Sequence, residues 1–369
     1  MNPPASPESA KKAFGLSSLS TDQLNYLNIG LMLLTAVAAF ARPFELFLIA
    51  YALLGPLHYL TEISWLHDRN YYTRGKHDYL VLVALAIVVT VVVTRIIPGI
   101  PDWVRVPTTY IAFGVALVFV LVSKLWPRLI CYAVLIATSG LVSHSDFLRA
   151  MFDVLLPTIV HVFVFTGLFI LFGALKSRSI SGIGSLVVFG LCALSFFVFH
   201  TNETGGYVGA PVHKFYGAFA QLNYSLLTPF SRQNLNVPTN AVQFILFVNY
   251  GLYHSPLALA IMRLIAFAYT YHYLNWFSKT SIIQWHNIPR SRFIGVIAIW
   301  IASVGLFAFN YQIGLRWLFF LSFTHVLLEF PLNHLTMINI GREFKNILGR
   351  AGTGRVSSPG ARPDIASDF

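Results

Sequence analysis

Two segments of the sequence carry histidine and glutamate in the same order and at the same spacing. Both read His-x3-Glu-x4-His, with His58, Glu62 and His67 in the first and His325, Glu329 and His334 in the second. In an α-helix, residues four apart lie on one face, about 6 Å from each other along the axis. Each histidine and the glutamate that comes after it can therefore reach a common point.

The third member of each pattern is harder to bring to that point. A residue nine positions after the first lies about 180° round an ideal helix. His67 and His334 therefore join the His–Glu pairs only where the helix ends or breaks. Pro331 lies between Glu329 and His334 and predicts such a break. No equally clear signal precedes His67.

Both patterns lie in apolar segments, which makes a charged glutamate there expensive. An ionisable group at membrane depth costs at least about 2.5 kcal/mol and needs a partner. A metal ion is such a partner, and neutral imidazole with carboxylate is a ligand set that iron, manganese and zinc accept. Proton or ion translocation and purely structural hydrogen bonding are the alternative interpretations of the same residues.

Further histidines extend the candidate site. His272, in AYTYHYLNWFSK, lies at a compatible depth in another apolar segment. The predicted core ligands are therefore His58, Glu62, His272, His325 and Glu329. His161, in TIVHVFVF, is a candidate ligand from a fourth helix, and His286, in IIQWHNIP, lies with His67 and His334 at the predicted membrane boundary. For those three boundary residues, metal ligation, an outer-layer role and an ordinary interfacial role stay open.

The composition indicates the fold that must position these residues. Of 369 residues, 56% are hydrophobic and 11% are charged, against about 25% charged in soluble proteins. The apolar runs are about 20 residues long, which is enough to cross a hydrocarbon core of about 30 Å as helices. The ten-residue alternation of a membrane β-barrel is absent. We therefore predict an all-α, polytopic integral membrane helical bundle.

The chain divides into three parts. A polar N-terminal segment, 1–23, precedes a single transmembrane domain, 24–340, and a basic tail, 341–369, is predicted to be disordered. About ten spans are predicted: 24–41, 44–66, 79–98, 106–125, 129–143, 152–174, 181–200, 257–277, 293–310 and 314–337. The stretch 201–256 is more polar, and within it 241–256 is too short to span comfortably and suits a re-entrant or interfacial helix.

The net charge of +11 is distributed as membrane topology requires. Lysines and arginines cluster in alternate loops and in the tail, which predicts cytoplasmic termini in the plasma (inner) membrane of a bacterium. A nucleic-acid partner would need one basic face and is not predicted. Cys131 and Cys192 lie inside apolar runs, so no disulfide framework is expected.

The ligand types suggest a reaction class. A His- and carboxylate-rich site suits non-haem iron, mono- or dinuclear, whose usual work is O2 activation. We expect an oxygenase, hydroxylase or desaturase that acts on a lipid or isoprenoid, with membrane lipids and an electron donor protein as partners. Zinc or manganese are alternative ions, although the zincin motif His-Glu-x-x-His is absent. A proton- or ion-coupled transporter and a bis-His haem protein are the competing functions.

Three short segments resemble a known family of membrane enzymes. GPLHYLTE around His58, YHYLNWF around His272 and FTHVLLEF around His325 are similar to histidine-bearing segments of the bacterial carotene-cleaving membrane dioxygenases (the Brp/Blh family). The resemblance implies a polytopic fold, an iron site built from histidines of separate spans, and an isoprenoid or carotenoid substrate. Trp276 stands where that family has a second histidine on the same helix.

A more general similarity links the chain to the membrane di-iron desaturases and hydroxylases. Their histidines also cluster at the cytoplasmic ends of helices. The His-x3/4-His and His-x2/3-His-His boxes of those enzymes do not occur in this chain, which adds Glu62 and Glu329 instead.

Overall fold

A computed structural model describes residues 19–199, 209–227, 251–253 and 255–353. These residues form helices joined by turns, and none of them is in a strand. The all-α prediction is confirmed. In chain order the helices are α1 (Thr21–Ala41), α2 (Pro43–His67), α3 (Asp78–Val93), α4 (Asp102–Leu121), α5 (Leu125–Ser143), α6 (Phe147–Ser177), α7 (Ile180–Val198), α8 (Ala210–Tyr216), α9 (Ala220–Leu227), α10 (Pro256–Ser278), α11 (Thr280–Ile283), α12 (Arg290–Phe309) and α13 (Tyr311–Thr353).

Nine helices in the described part of the chain are long and apolar enough to cross a membrane. Each of the ten predicted spans falls on one of the helices above. Helix α3 is apolar but has only 16 residues, so it is shorter than these nine. It ends there because the chain turns at Thr94 and Arg95, and the φ of Arg95 is +52°. The helix therefore ends before residue 98, where we predicted the end of that span.

Local sequence signals set several helix starts. Ser20 accepts a hydrogen bond from the backbone N–H of Gln23, whose side chain in turn accepts one from the N–H of Ser20. This reciprocal pair satisfies two backbone donors at the start of α1. Pro43 and Pro256 begin α2 and α10, where the missing N–H of proline has no helical partner to lose.

Helices α10 and α13 form the centre of the bundle. α10 packs against α1, α7, α9 and the first half of α2, whereas α13 packs against α3, α4, α12 and the second half of α2. In an apolar stretch of 18 residues, 72% of the residues are buried in α10 and 6% in α5. The histidine-bearing helix α10 is therefore interior, and α5 is peripheral with an apolar surface turned outward, as a lipid-facing helix requires.

Two of the helices contain a stretch of π-helix. In α2 it covers Ala50–Leu54, immediately before the α-helical stretch Gly55–His67, and in α6 it covers Met151–Phe165. Both stretches lie beside or contain a proline, Pro56 and Pro157. A wider turn relieves the clash between the proline ring and the preceding carbonyl. Sequence periodicity did not predict either stretch.

Helix α13 corrects two expectations. It continues from Tyr311 to Thr353 with Pro331 inside it, so the predicted break after Glu329 does not occur. Residues 341–353, which we assigned to a disordered tail, extend the same helix, while the rest of the tail lies outside the described residues. In the polar stretch 201–256 the described residues include α8 and α9; most of the candidate re-entrant segment 241–256 lies outside the described residues.

Candidate metal centre

Four helices bring imidazole and carboxylate side chains to one buried place. The α-helical half of α2 contributes one His–Glu pair, α13 the other, and α6 and α10 one histidine each. These residues are His58 and Glu62 on α2, His161 on α6, His272 on α10, and His325 and Glu329 on α13. All six have exposures between 1% and 6%. The five predicted core ligands are thus assembled together with the sixth candidate, His161.

The four imidazole rings form a closed ring of neighbours. The centroid of His58 lies 4.7 Å from that of His272 and 4.8 Å from that of His325. The centroid of His161 lies 5.1 Å from that of His272 and 5.0 Å from that of His325. Across the ring, the centroids of His272 and His325 are 6.4 Å apart.

These separations fit one metal ion. With a nitrogen–metal bond of about 2.1 Å, the centre of an imidazole ring lies a little more than 3 Å from the ion. Two histidines on opposite sides of one ion therefore have centroids about 6.5 Å apart, close to the value for His272 and His325. The available nitrogens of His58, His272 and His325 lie within 4.8 Å of one another, as do the ligand atoms of His161, His325 and Glu329.

Each carboxylate approaches two imidazole nitrogens, and Nε2 of His325 is common to both. Oε2 of Glu62 lies 3.2 Å from Nε2 of His58 and 3.1 Å from Nε2 of His325. Oε2 of Glu329 lies 3.3 Å from Nε2 of His161 and 3.3 Å from Nε2 of His325. Two ligands about 2.1 Å from one ion are about 3 Å apart when they meet it at a right angle. The spacing suits shared coordination as well as it suits hydrogen bonding.

Several of these buried atoms have no hydrogen bond. They are both ring nitrogens of His58 and of His161, Nε2 of His272, Nδ1 of His325, and Oε2 of Glu329. An unsatisfied buried polar atom costs about 1–3 kcal/mol, and more when it is charged. Coordination of an ion would satisfy the atoms that face the ring centre, so the donor set fits a metal of the kind that accepts nitrogen and oxygen ligands.

Thr166 fixes the orientation of His272. Its hydroxyl lies 2.8 Å from Nδ1 of His272 and 2.9 Å from the carbonyl oxygen of Val162. Because the hydroxyl has one proton and gives it to the carbonyl, its oxygen accepts a hydrogen bond from Nδ1–H. His272 is then neutral with a free lone pair on Nε2, which is the arrangement of a metal-binding histidine held by an outer hydrogen bond.

Aromatic side chains close the site on both sides along α10. Tyr59 and Tyr273 are fully buried, and their hydroxyl oxygens are 2.6 Å apart. A methyl group at Gly55 would lie 3.0 Å from the Tyr59 hydroxyl and 3.3 Å from that of Tyr273, so this glycine makes room for the tyrosine pair. On the other side, Nε1 of Trp276 donates a hydrogen bond to Oγ1 of Thr61 at 3.0 Å.

The remaining predicted residues are not part of this cluster. His67 is exposed and lies 3.5 Å from the hydroxyl of Tyr71, and His286 is exposed beside Trp285. His334 is half-buried, and its Nδ1 lies 2.9 Å from the carbonyl oxygen of Phe330. Both third histidines point away because α2 and α13 are regular helices at these positions, as the geometry of nine-residue spacing requires.

Some partners of the site were not predicted from the sequence. Thr166 lies five residues after His161 in α6, and Tyr59 is adjacent to His58 in α2. The signal in the sequence for Thr166 is that it is a polar residue near a buried histidine. To pair it with His272, one must also know which helices face each other, and the sequence does not show this. The closely packed rings also leave no space for a porphyrin among the four histidines.

The comparisons with known proteins add no further constraint. No protein-family model, no curated protein and no solved structure matches this chain. The apolar helices and the buried histidine and glutamate cluster are compatible with a membrane metalloprotein.

Proposed function

We propose that this protein is an integral membrane enzyme with a non-haem iron centre that oxidises a lipophilic substrate, as an oxygenase, hydroxylase or desaturase. One observation carries the proposal: four buried imidazoles and one buried carboxylate from four helices form two groups at ligand spacing, with a second buried carboxylate beside them and several donor atoms without a hydrogen bond. Proteins retain so many ionisable groups in an apolar interior for a functional reason, because each is costly there.

The donor set supports iron, together with manganese and zinc, over softer metals. It contains nitrogen and oxygen atoms and no sulfur, which favours iron, manganese or zinc over copper(I) or an iron–sulfur cluster. Iron bound in this way would supply O2 activation. Metal analysis of the purified protein would also detect zinc or manganese. The distances between the imidazole rings favour a single ion. The two groups of candidate ligands both contain His325, and a dinuclear centre would use one group for each ion.

The protein's own residues hold and enclose the reaction site. The metal ion would be bound by His58, His161, His272 and His325. Thr166 orients the imidazole of His272. The apolar residues around them exclude bulk water, and the substrate reaches the site laterally from the lipid, between helices. We place the protein in a bacterial inner membrane with both termini in the cytoplasm, because the basic residues lie next to the helix ends on that side.

The resemblance to carotene-cleaving dioxygenases agrees with this proposal in one respect. It implied an iron site of histidines from separate spans, and His58, His272 and His325, on the three segments that carry the resemblance, do converge. A lipid or isoprenoid, including a carotenoid, is therefore the substrate class that we propose.

Metal analysis of the purified protein tests the proposal. We expect stoichiometric iron in the protein purified from iron-supplemented cells, and its loss in His58→Ala and His325→Ala. His334→Ala, which changes a histidine on α13 outside the cluster, is the matched control and should keep its iron. Absence of stoichiometric iron, manganese or zinc from the folded parent protein would sink the proposal.

Proton or ion transport is the second candidate function, and one observation favours it. The hydrogen bond between Nε2 of His325 and Oε2 of Glu62 lies beside Glu329 and His161, so a proton could pass along these groups. Flux across liposomes that depends on Glu62 and Glu329 in metal-free protein would support transport. The two His–Glu helices, α2 and α13, present their pairs to the same site and do not form an obvious inverted pair.

A further inference from the structure

Two tryptophans connect the histidine cluster with a surface cleft. The ring centroid of Trp276 lies 5.6 Å from that of His58, and the centroid of Trp65 lies 5.6 Å from that of Trp276. Both indoles are buried, with exposures of 8% and 7%. Their N–H groups are bound to Thr61 and to the carbonyl oxygen of Ile283, which fixes the two rings in place.

Trp65 forms one wall of the cleft. The cleft has a volume of about 180 Å³, and the rest of its lining consists of Asp68, Arg69, Ile282, Ile283, Gln284, Trp285, Asn287 and Ile288. It lies at the ends of α2 and α10 that we place at the cytoplasmic boundary. Neighbouring aromatic rings in edge-to-face contact thus lead from a ligand of the candidate metal centre to a place that a soluble protein can reach.

The cleft and the adjoining start of α12 together carry a net positive charge. The guanidinium of Arg69 stacks 4.0 Å above the ring of Trp65. A guanidinium nitrogen of Arg292 lies 2.7 Å from Oδ1 of Asp68. Arg290, two residues before Arg292, is exposed. The positive charges of these three arginines exceed the single negative charge of Asp68, so this part of the surface would attract a partner with an acidic surface.

We propose that this cleft docks an acidic protein with a one-electron redox group, and that Trp65 and Trp276 form the electron path from it to the histidine centre. This inference rests on the proposed metal centre. One electron leaves the reduced carrier, which is oxidised, and reaches the centre, which is reduced; no bond forms or breaks in the transfer. The indoles stay closed-shell and shorten the gaps across which the electron tunnels.

An electron path narrows the reaction class. Insertion of one oxygen atom of O2 into a C–H bond takes up two electrons and two protons and releases water, and desaturation with O2 has the same electron demand. Insertion of both oxygen atoms into a double bond needs no external electrons. The path therefore assigns the protein to hydroxylation or desaturation of its lipophilic substrate, away from dioxygenase cleavage.

Flash photoreduction tests the path. A ruthenium tris-bipyridine label is attached to a cysteine at position 284, in the cleft, by Gln284→Cys in a Cys131→Ser, Cys192→Ala background. Light then delivers one electron, and its arrival is monitored by the absorption and EPR signals of the iron-loaded centre. Trp65→Leu and Trp276→Leu should slow arrival by an order of magnitude or more.

Trp317→Leu is the matched control, because Trp317 is also bonded within the bundle, to Ser303, but lies off the path. It should leave the rate unchanged. Unchanged rates in iron-loaded Trp65→Leu would overturn the path, and this variant decides the question even if Trp276→Leu loses its iron. A parent protein that binds no metal would instead refute the proposed function itself.

Reduction by a reduced plant-type ferredoxin, an acidic one-electron carrier, tests the docking surface. We expect the rate to fall with salt and to fall several-fold in Arg69→Gln, while Arg178→Gln, on another loop of the same face, and reduction by dithionite stay unchanged. Equal rates in the two arginine variants would overturn docking at this cleft. If phosphatidylglycerol nanodiscs slow the reduction by ferredoxin and Arg69→Gln does not, the cleft would be assigned to a lipid headgroup.

Discussion

The two His–Glu pairs are equal in sequence and unequal in their contacts. On α2, Oε2 of Glu62 has a hydrogen bond with Nε2 of His325, the histidine of the other pair. On α13, Oε2 of Glu329 lies 3.3 Å from two histidine nitrogens and has no hydrogen bond. Glu62 is hydrogen-bonded to one imidazole, whereas Glu329 contacts two imidazoles and belongs to a group of candidate ligand atoms. A repeated motif can therefore supply one ligand and one orienting group.

The largest expected effect comes from the residue that both pairs share. His325 contacts both carboxylates and belongs to both groups of candidate ligands. We expect His325→Ala to abolish stoichiometric metal binding, with a loss of the thermal stabilisation that added metal gives the parent. Metal content and the midpoint of thermal unfolding with and without iron measure this. Retention of full metal content would show that the two pairs do not share a site.

The next effect separates the two glutamates. Glu329→Gln should weaken metal binding about 100-fold, because Glu329 belongs to a group of candidate ligand atoms with His161 and His325, and Glu62→Gln only about tenfold, because Glu62 is already held by a hydrogen bond with His325. Competition with a chelator of known affinity measures both. The reverse order would assign the direct ligand to α2, and equal losses would remove the distinction between the pairs.

At Thr166 we expect a smaller effect than that of Glu329→Gln. Thr166→Val keeps the shape of the side chain and removes the hydroxyl that holds Nδ1 of His272. Metal affinity should fall by about tenfold, and Thr166→Ser should restore most of it. The EPR signal of the iron-loaded variant should also change, since the imidazole is freed to rotate. A fully wild-type signal in Thr166→Val would show that His272 is not oriented in this way.

No effect on metal binding is expected at the third histidines. His67 and His334 complete the two patterns in sequence but lie away from the cluster, and His286 is exposed on the loop after α11. Substitution of each by alanine should leave metal affinity within about twofold of the parent, below the effect of an outer-shell change. Loss of metal from any one of them would extend the site beyond the six residues.

The sequence predicted the fold well, because apolar runs of membrane length have one stable solution. Every predicted span overlaps a helix, and the five core candidates come together from three of these helices. The part that failed is local. Pro331 does not break α13, since neighbouring packing compensates for one lost backbone bond. Periodicity shows which face of its own helix a histidine occupies, but not which helix stands opposite, so the place of His161 needed the tertiary structure.

The π-helical turn at Ala50–Leu54 has a consequence for how such a site can arise. A π turn contains one residue more than an α turn, and each added residue rotates the remainder of the helix by about 100°. Removal of one residue from this stretch would restore a plain α-helix in α2 and would turn His58 and Glu62 away from the other three helices relative to the first half of α2. A single-codon insertion in an ordinary membrane helix is therefore enough to aim an existing His–Glu pair at the centre of the bundle.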